Sequence, residues 1–149
     1  MKSALSLASK LKQNGANVIL TRSDDRYITL NYRVDISHYY DADAFLSLHY
    51  DSTGDKSVNG IGSFYYSKQK DYPLAEAIQR SLIQQTGHTD RQARYGNYHV
   101  LRENRQPAAL IELGFLSNAN EEAIIKTNDF QSKAVEGIYK GLVNFFKQS

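Results

Sequence analysis

Apolar residues recur along the chain with two periods, one close to four and one close to two, and the switches between them mark out the elements. From Lys2 to Asn14, the residues Ala4, Leu7, Ala8 and Leu11 share one helical face, with Asn14-Gly15 as the stop. The chain is therefore expected to start inside a helix. ANVILT (Ala16 to Thr21) reads as a buried strand and RSDDRYIT as a polar connection, followed by a second helix over roughly Leu30 to Tyr40. DAFLSLHYD is predicted to be a strand ending in His49. STGDKSVNG has the Gly, Ser, Asp and Asn content of a loop, and IGSFYYS after it reads as a short aromatic strand.

Pro73 suits a helix opening, after which Leu74, Ile78 and Leu82 recur every four residues and Gly87 caps the end. HTDRQARYGN reads as a polar link. YHVL and AALIELGFL read as strands on either side of RENRQP. From Asp129 onward Val135, Ile138, Tyr139, Leu142 and Phe146 fall on one stripe, which predicts a final helix lying on the sheet. Strands alternating with helices imply βαβ units, hence one α/β domain over residues 1–149 with a largely parallel sheet covered on both faces. Sites on such sheets lie at the carboxyl ends of strands, where His49 and Glu112 both fall.

Composition narrows the chemistry. Apolar residues make up 41% of the 149 and charged residues 23%, the usage of a globular domain with a real core. The 18 Lys and Arg against 16 Asp and Glu are scattered, so nucleic acid is not the expected partner. The longest apolar runs fall far short of the ~20 residues that cross a bilayer, so no membrane span is expected. Met1-Lys2-Ser3-Ala4 leads into an amphipathic segment and not into a signal peptide. Cysteine is absent, which removes thiol nucleophiles, thiolate metal sites and disulfides and weakly favours an exported protein. Any metal must use His, Asp or Glu.

Within AALIELGFLSN, Glu112 is the one carboxylate in an apolar run. An unpaired ionised carboxylate taken out of water costs several kcal/mol or more, so it needs a cation, a metal or a substrate beside it. Arg102 and Arg33 are the cations available for a purely structural pair, and that alternative stands beside a chemical role. His49 alone fits a hydrogen bond that closes its strand, the commoner fate of a single His, better than ligation. The two together suit a zinc hydrolase, with imidazole on the metal and a carboxylate that is not a ligand taking a proton from water. His38, His88 and His99 suit structural or solvated roles, and no HExxH, GxSxG or glycine-rich phosphate loop occurs. Most of the eleven Tyr and six Phe are expected to pack, although some could stack on sugars or peptides.

The segments VILTRSDD, LNYRVDISHYYDADAFLSLHYDS, GIGSFYYS, LAEAIQRSL and NYHVLRENRQPAALIELGFLSNANEE, with the closing helix, resemble in order the zinc-dependent N-acetylmuramoyl-L-alanine amidases of the type 3 class. The resemblance implies a mixed, mostly parallel sheet with helices on both sides. It implies cleavage of the amide between the lactyl group of muramic acid and the L-alanine of the peptidoglycan stem, in the extracellular space or cell envelope of a bacterium. It implies Zn2+ as cofactor, His49 as a metal ligand and Glu112 as the catalytic acid/base, and assigns no substrate-binding residue. An activating protein partner is left open.

Departures accompany the likeness. The family begins with a strand and a glycine-rich loop bearing a first zinc-binding His, then a Glu ligand; neither is recognisable here, so the chain is read as incomplete at the N-terminus and inactive alone. His38 stands where the family more often has Asn, and HYDS where HANA-like residues are usual, so that Asp51 shifts the local charge. A degenerate, non-hydrolytic wall-binding or regulatory module is the alternative.

Overall fold

In the computed structural model, which describes residues 1–148, the period-four segments become helices and most period-two segments become strands. The order is α1 (Lys2–Gln13), α2 (Leu30–Tyr39), β1 (Phe45–Asp51), β2 (Ile61–Tyr65), α3 (Tyr72–Thr86), β3 (Asp90–Tyr95), α4 (His99–Arg102), β4 (Ala108–Phe115), α5 (Ala119–Ile125) and α6 (Asn128–Gln148). The four strands form one sheet in the order β1-β4-β2-β3. β1 runs parallel to β4 and β2 parallel to β3, while β2 and β4 are antiparallel. The expected α/β class and mixed, mostly parallel sheet are both found.

β4 has a strand neighbour on each side and a helical layer over each face, which is why its sequence is apolar almost throughout. On one face Ala109, Ile111 and Leu113 join Ile61, Leu74, Ile78, Leu82, Ile138 and Leu142 in the larger core, roofed by α3 and α6. On the other face Ala108 and Leu110 meet Val34 of α2, Phe45 of β1, and Val100 and Leu101 of α4 in a smaller cluster. This second cluster stops at Leu110 on β4 and does not include Glu112.

Local chemistry fixes the element ends. Thr29 caps α2 by accepting from Tyr32 N, and Gly87 closes α3 in the left-handed conformation at φ 68°. Asn118 caps α5 by accepting from Asn120 N and Glu121 N. The buried Glu121 then accepts from Gly60 N at 2.6 Å and Phe115 N at 2.7 Å, tying the start of β2 to the end of β4.

Four sequence readings change. Ala16 to Thr21 is no buried strand: among the described residues no strand pairs with it, and Ile19 is 42% exposed. YHVL is not a strand: Tyr98 precedes the short helix α4 that holds His99, Val100 and Leu101, and four residues are too few for either period to show. HTDRQARYGN holds an edge strand, β3, whose half-buried Arg91 and Ala93 alternate with exposed neighbours. α5 lies where no helix was expected, since seven residues beginning at a capping Asn carry little periodic signal.

α3 and α6 pack with their backbones nearly touching. A β-carbon on Gly141 would lie 2.5 Å from the Ile78 Cα, and one on Gly137 would lie 2.8 Å from the Leu82 Cα. Alanine is the better helix former by about 1 kcal/mol, whereas overpacking costs about 1–3 kcal/mol. The opposing atom at position 78 is backbone and cannot swing aside, so overpacking wins. Gly141→Ala is expected to lower unfolding stability by about 1–2 kcal/mol in urea titration. A stabilised variant would show that the two helices separate at little cost.

Candidate active site

Glu112 is the only β4 residue that is not fully buried. Alternation turns Ile111 and Leu113 into the larger core and sends Glu112 to the opposite face, beyond the reach of the α2/α4 cluster. The ladders place it directly opposite His49 of β1 on one side and Gly62 of β2 on the other. Adjacent strands lie ~4.8 Å apart, so the imidazole and the carboxylate that the sequence singled out are immediate neighbours on one face.

The structural alternative for Glu112 is not what the chain adopts. Arg102 bonds Glu103 at 2.8 Å and Asn97 at 2.6 Å, and Arg33 donates from Nε to the Ile28 carbonyl at 3.1 Å. Glu112 has no ion pair among the described residues, and its Oε2 is buried with no hydrogen-bond partner. Burial first, and the nearby Asp51 carboxylate second, push its pKa up to about 7. The β1–β4 register shifts between His49 and Asp51, which faces Phe115, and the Asp51 charge still acts on Glu112 from there.

His49 stands at the rim with much of its ring open to solvent. The surrounding protein nevertheless lowers its pKa, helped by the Arg33 and Arg22 cations, so the neutral form that can bind a metal is favoured. Its Nε2 shares a 2.9 Å hydrogen bond with the buried Ser47 hydroxyl, two residues back on the same face of β1. Tyr98 also turns toward the site. Its hydroxyl pKa is raised by burial and then by the Glu112 and Asp51 carboxylates.

The remaining histidines do not converge here. His38 Nε2 accepts from Arg105 N, His88 packs on the Phe130 ring at 4.7 Å, and His99 opens α4. A larger cavity of about 630 Å³ lies between residues 19–28 and α2, and neither His49 nor Glu112 lines it.

A catalytic zinc needs three protein ligands. Among the described residues no group of three His, Asp or Glu converges, so His49 and its neighbours do not by themselves fit a complete zinc centre. What the face does provide is a proton-holding carboxylate with a free buried oxygen beside a neutral imidazole. Asp51 was legible as a charge perturbation. Tyr98 and Arg94 were not, because their place depends on α4 and β3, which the sequence pattern read as a strand and a polar link.

Holding Glu112 protonated has a stability signature. Its folded pKa of about 7 lies above the ordinary 4.5, so between these values the unfolded chain releases a proton that the folded chain keeps. The contribution is fully present below pH 4.5 and is lost as pH rises through 7. Glu112→Gln is neutral throughout. In metal-free buffer its melting temperature should match wild type near pH 4.5 and exceed it by pH 8; a gap that does not change with pH would contradict the raised pKa.

Residues 1–144 match the protein family described as N-acetylmuramoyl-L-alanine amidase. YrvJ of Bacillus subtilis (strain 168) is 47% identical over 147 residues, covering 99% of this chain but 28% of YrvJ. The chain thus spans well under half of that curated relative. The catalytic domain of CwlV, an N-acetylmuramoyl-L-alanine amidase from Bacillus (Paenibacillus) polymyxa var. colistinus, superposes with a TM-score of 0.94 at 39% identity, covering 99% of this chain and 83% of CwlV's. The CwlD amidase from Clostridioides difficile, whose structure is a complex with the GerS lipoprotein, superposes with a TM-score of 0.93 at 27% identity, covering 99% of this chain and 84% of CwlD's.

Proposed function

The chain belongs to the N-acetylmuramoyl-L-alanine amidase family, and from that premise we propose that it hydrolyses the amide joining the lactyl group of muramic acid to the L-alanine of the peptidoglycan stem. The observation that carries this reading is the pairing of His49 and Glu112 across the β1–β4 ladder, with the Glu112 Oε2 left unpartnered.

Amide hydrolysis needs a group that takes a proton from water and later gives one to nitrogen. Glu112, with a pKa of about 7, is populated in both forms near neutrality. As carboxylate it removes a proton while the water oxygen bonds to the lactyl carbonyl carbon. As acid it returns that proton to the alanine nitrogen as the C–N bond breaks. The products are a muramic acid carboxylate and a free L-alanine amino group. Burial and Asp51 serve this role by keeping the pKa close to the working range instead of the ordinary carboxylate value.

His49 is the residue we assign to Zn2+, in its neutral form, with the Ser47 hydroxyl bonded to Nε2. Among the described residues no further donors converge on His49 to complete a three-ligand centre. Place and partnership follow the same premise. A relative 34% identical over 146 residues is named a probable cell wall amidase, LytH of Staphylococcus epidermidis, and we place this chain at the bacterial envelope or outside the cell as an autolysin-type hydrolase. CwlD is found with a lipoprotein, and an activating protein partner for this chain is a reading of the same kind. No helix among the described residues is long and apolar enough to cross a membrane. A module that only binds the wall is not favoured, since binding gives no reason to hold an unpartnered carboxyl near neutrality beside an imidazole.

Two outcomes test this. The protein carrying this domain, incubated with purified peptidoglycan, should release new L-alanine amino termini, and Glu112→Gln should lower kcat by about 10²–10⁴-fold with zinc content unchanged. Loss of metal together with turnover would make Glu112 a ligand instead. The 149-residue chain alone should lose zinc on dialysis and show little turnover, as measured by metal analysis. Tightly held stoichiometric zinc would mean that the missing donors lie within it.

A further inference from the structure

A cation that reaches Gly62, the β2 partner of Glu112, belongs to an element the sequence did not reveal. Arg94 sits on β3 opposite Phe64 of β2, and its guanidinium lies 5.0 Å from the centre of the Phe64 ring. The same guanidinium crosses Gly62, where a β-carbon would lie 3.2 Å from Arg94 Nη2. Gly62 is the direct partner of Glu112, so the missing side chain leaves a lane through which Arg94 reaches toward the acid/base. Tyr98 packs edge-on against Phe64 at 5.1 Å and closes the other side of the ring.

Arg94 is exposed, and its guanidinium has no hydrogen bond or ion pair to any described residue. Arg91 also approaches Gly62, but its guanidinium lies over the Phe115 ring at 5.1 Å and donates to the Asn59 carbonyl, and Arg102 is held by Glu103 and Asn97. An arginine fork fixed on an aromatic ring and otherwise unpartnered is arranged to take a planar anion.

The substrate class says which anion. In a muramoyl peptide the lactyl carboxyl is consumed in the scissile amide and the sugars are neutral. Free carboxylates therefore lie on the peptide side alone. With Glu112 at the amide, Arg94 lies one strand spacing further toward β3, a distance that about one residue of extended peptide covers.

We propose that Arg94, seated on Phe64 and beside Tyr98, binds a carboxylate of the stem peptide just beyond the scissile amide. It follows that the peptide crosses β2 toward β3 and the glycan leaves on the β1 side. This rests on the amidase reading, to which it adds the direction in which the substrate lies.

The test compares two soluble ligands, a muramoyl dipeptide whose second residue carries a free carboxylate and the same compound with that group as carboxamide. Calorimetric titration of the 149-residue chain should show the carboxylate form bound about tenfold more tightly. Arg94→Gln should abolish that preference and leave carboxamide binding unchanged, with no more than the small drop in melting temperature expected from losing an exposed cation–π contact, and Arg94→Lys should keep part of it as a point charge. Equal binding of both ligands by wild type, or a preference that survives in Arg94→Gln, overturns the assignment of Arg94 and leaves the amidase reading standing. Binding of neither ligand by wild type overturns the substrate class and the Arg94 assignment together.

Discussion

The register between β1 and β4 is the constraint on which this molecule depends. β4 is packed on both faces, so each of its residues has a fixed side, and a slip of one position would drive Glu112 into the core among Ile78 and Ile138 while exposing Ile111 and Leu113. The apolar residues that prevent the slip are also what place His49 opposite Glu112. Burying the core and assembling the site are therefore the same event. Glu121 secures the far end of this arrangement, because its two carboxylate oxygens hold backbone donors from the start of β2 and the end of β4. Lost hydrogen bonds to a charged acceptor cost about 1.5–3 kcal/mol, so the strand ends that frame the site are held more firmly than the loops around them.

Electrostatics sets a cost against that rigidity. A carboxyl with no ion pair, a buried oxygen and Asp51 nearby is disfavoured in its charged form, and the fold accepts this where a Gln or Leu would pack with less penalty. The sequence contains cations that could have relieved it. Arg102 and Arg33 are spent elsewhere, on Glu103, Asn97 and the Ile28 carbonyl. The same two features that keep the proton on Glu112 make the residue useful for moving one, which is the usual relation between strain and function at a reacting site.

The sequence disclosed the site better than it disclosed the frame. His49 and Glu112 stand out because each interrupts an apolar alternation, and interruption is a local signal. The helices with long stripes, α1, α3 and α6, are legible for the same reason. β3 and α4 are not. DRQARY alternates only weakly because one of its edges faces solvent, and YHVL places Val100 and Leu101 side by side in a single helical turn where four residues cannot display a period. VILT fails in the opposite sense. It has the composition of an interior strand, but composition does not supply a pairing partner, and among the described residues it has none.

The elements hidden from the sequence are also the ones that give the site direction. Seen from Glu112, the β1 side carries a near-neutral imidazole held by Ser47, and the β2–β3 side carries an aromatic ring, a tyrosine hydroxyl and an unpartnered guanidinium. A site symmetric about its carboxyl could act on an amide in either orientation. Here the two flanks differ in charge and in shape, and the difference arises from one missing side chain at Gly62, which lets a residue from the sheet's edge reach inward past its neighbour. The chemistry is thus centred on a strand the core must build, while selectivity is drawn from an edge strand that the core leaves free to vary.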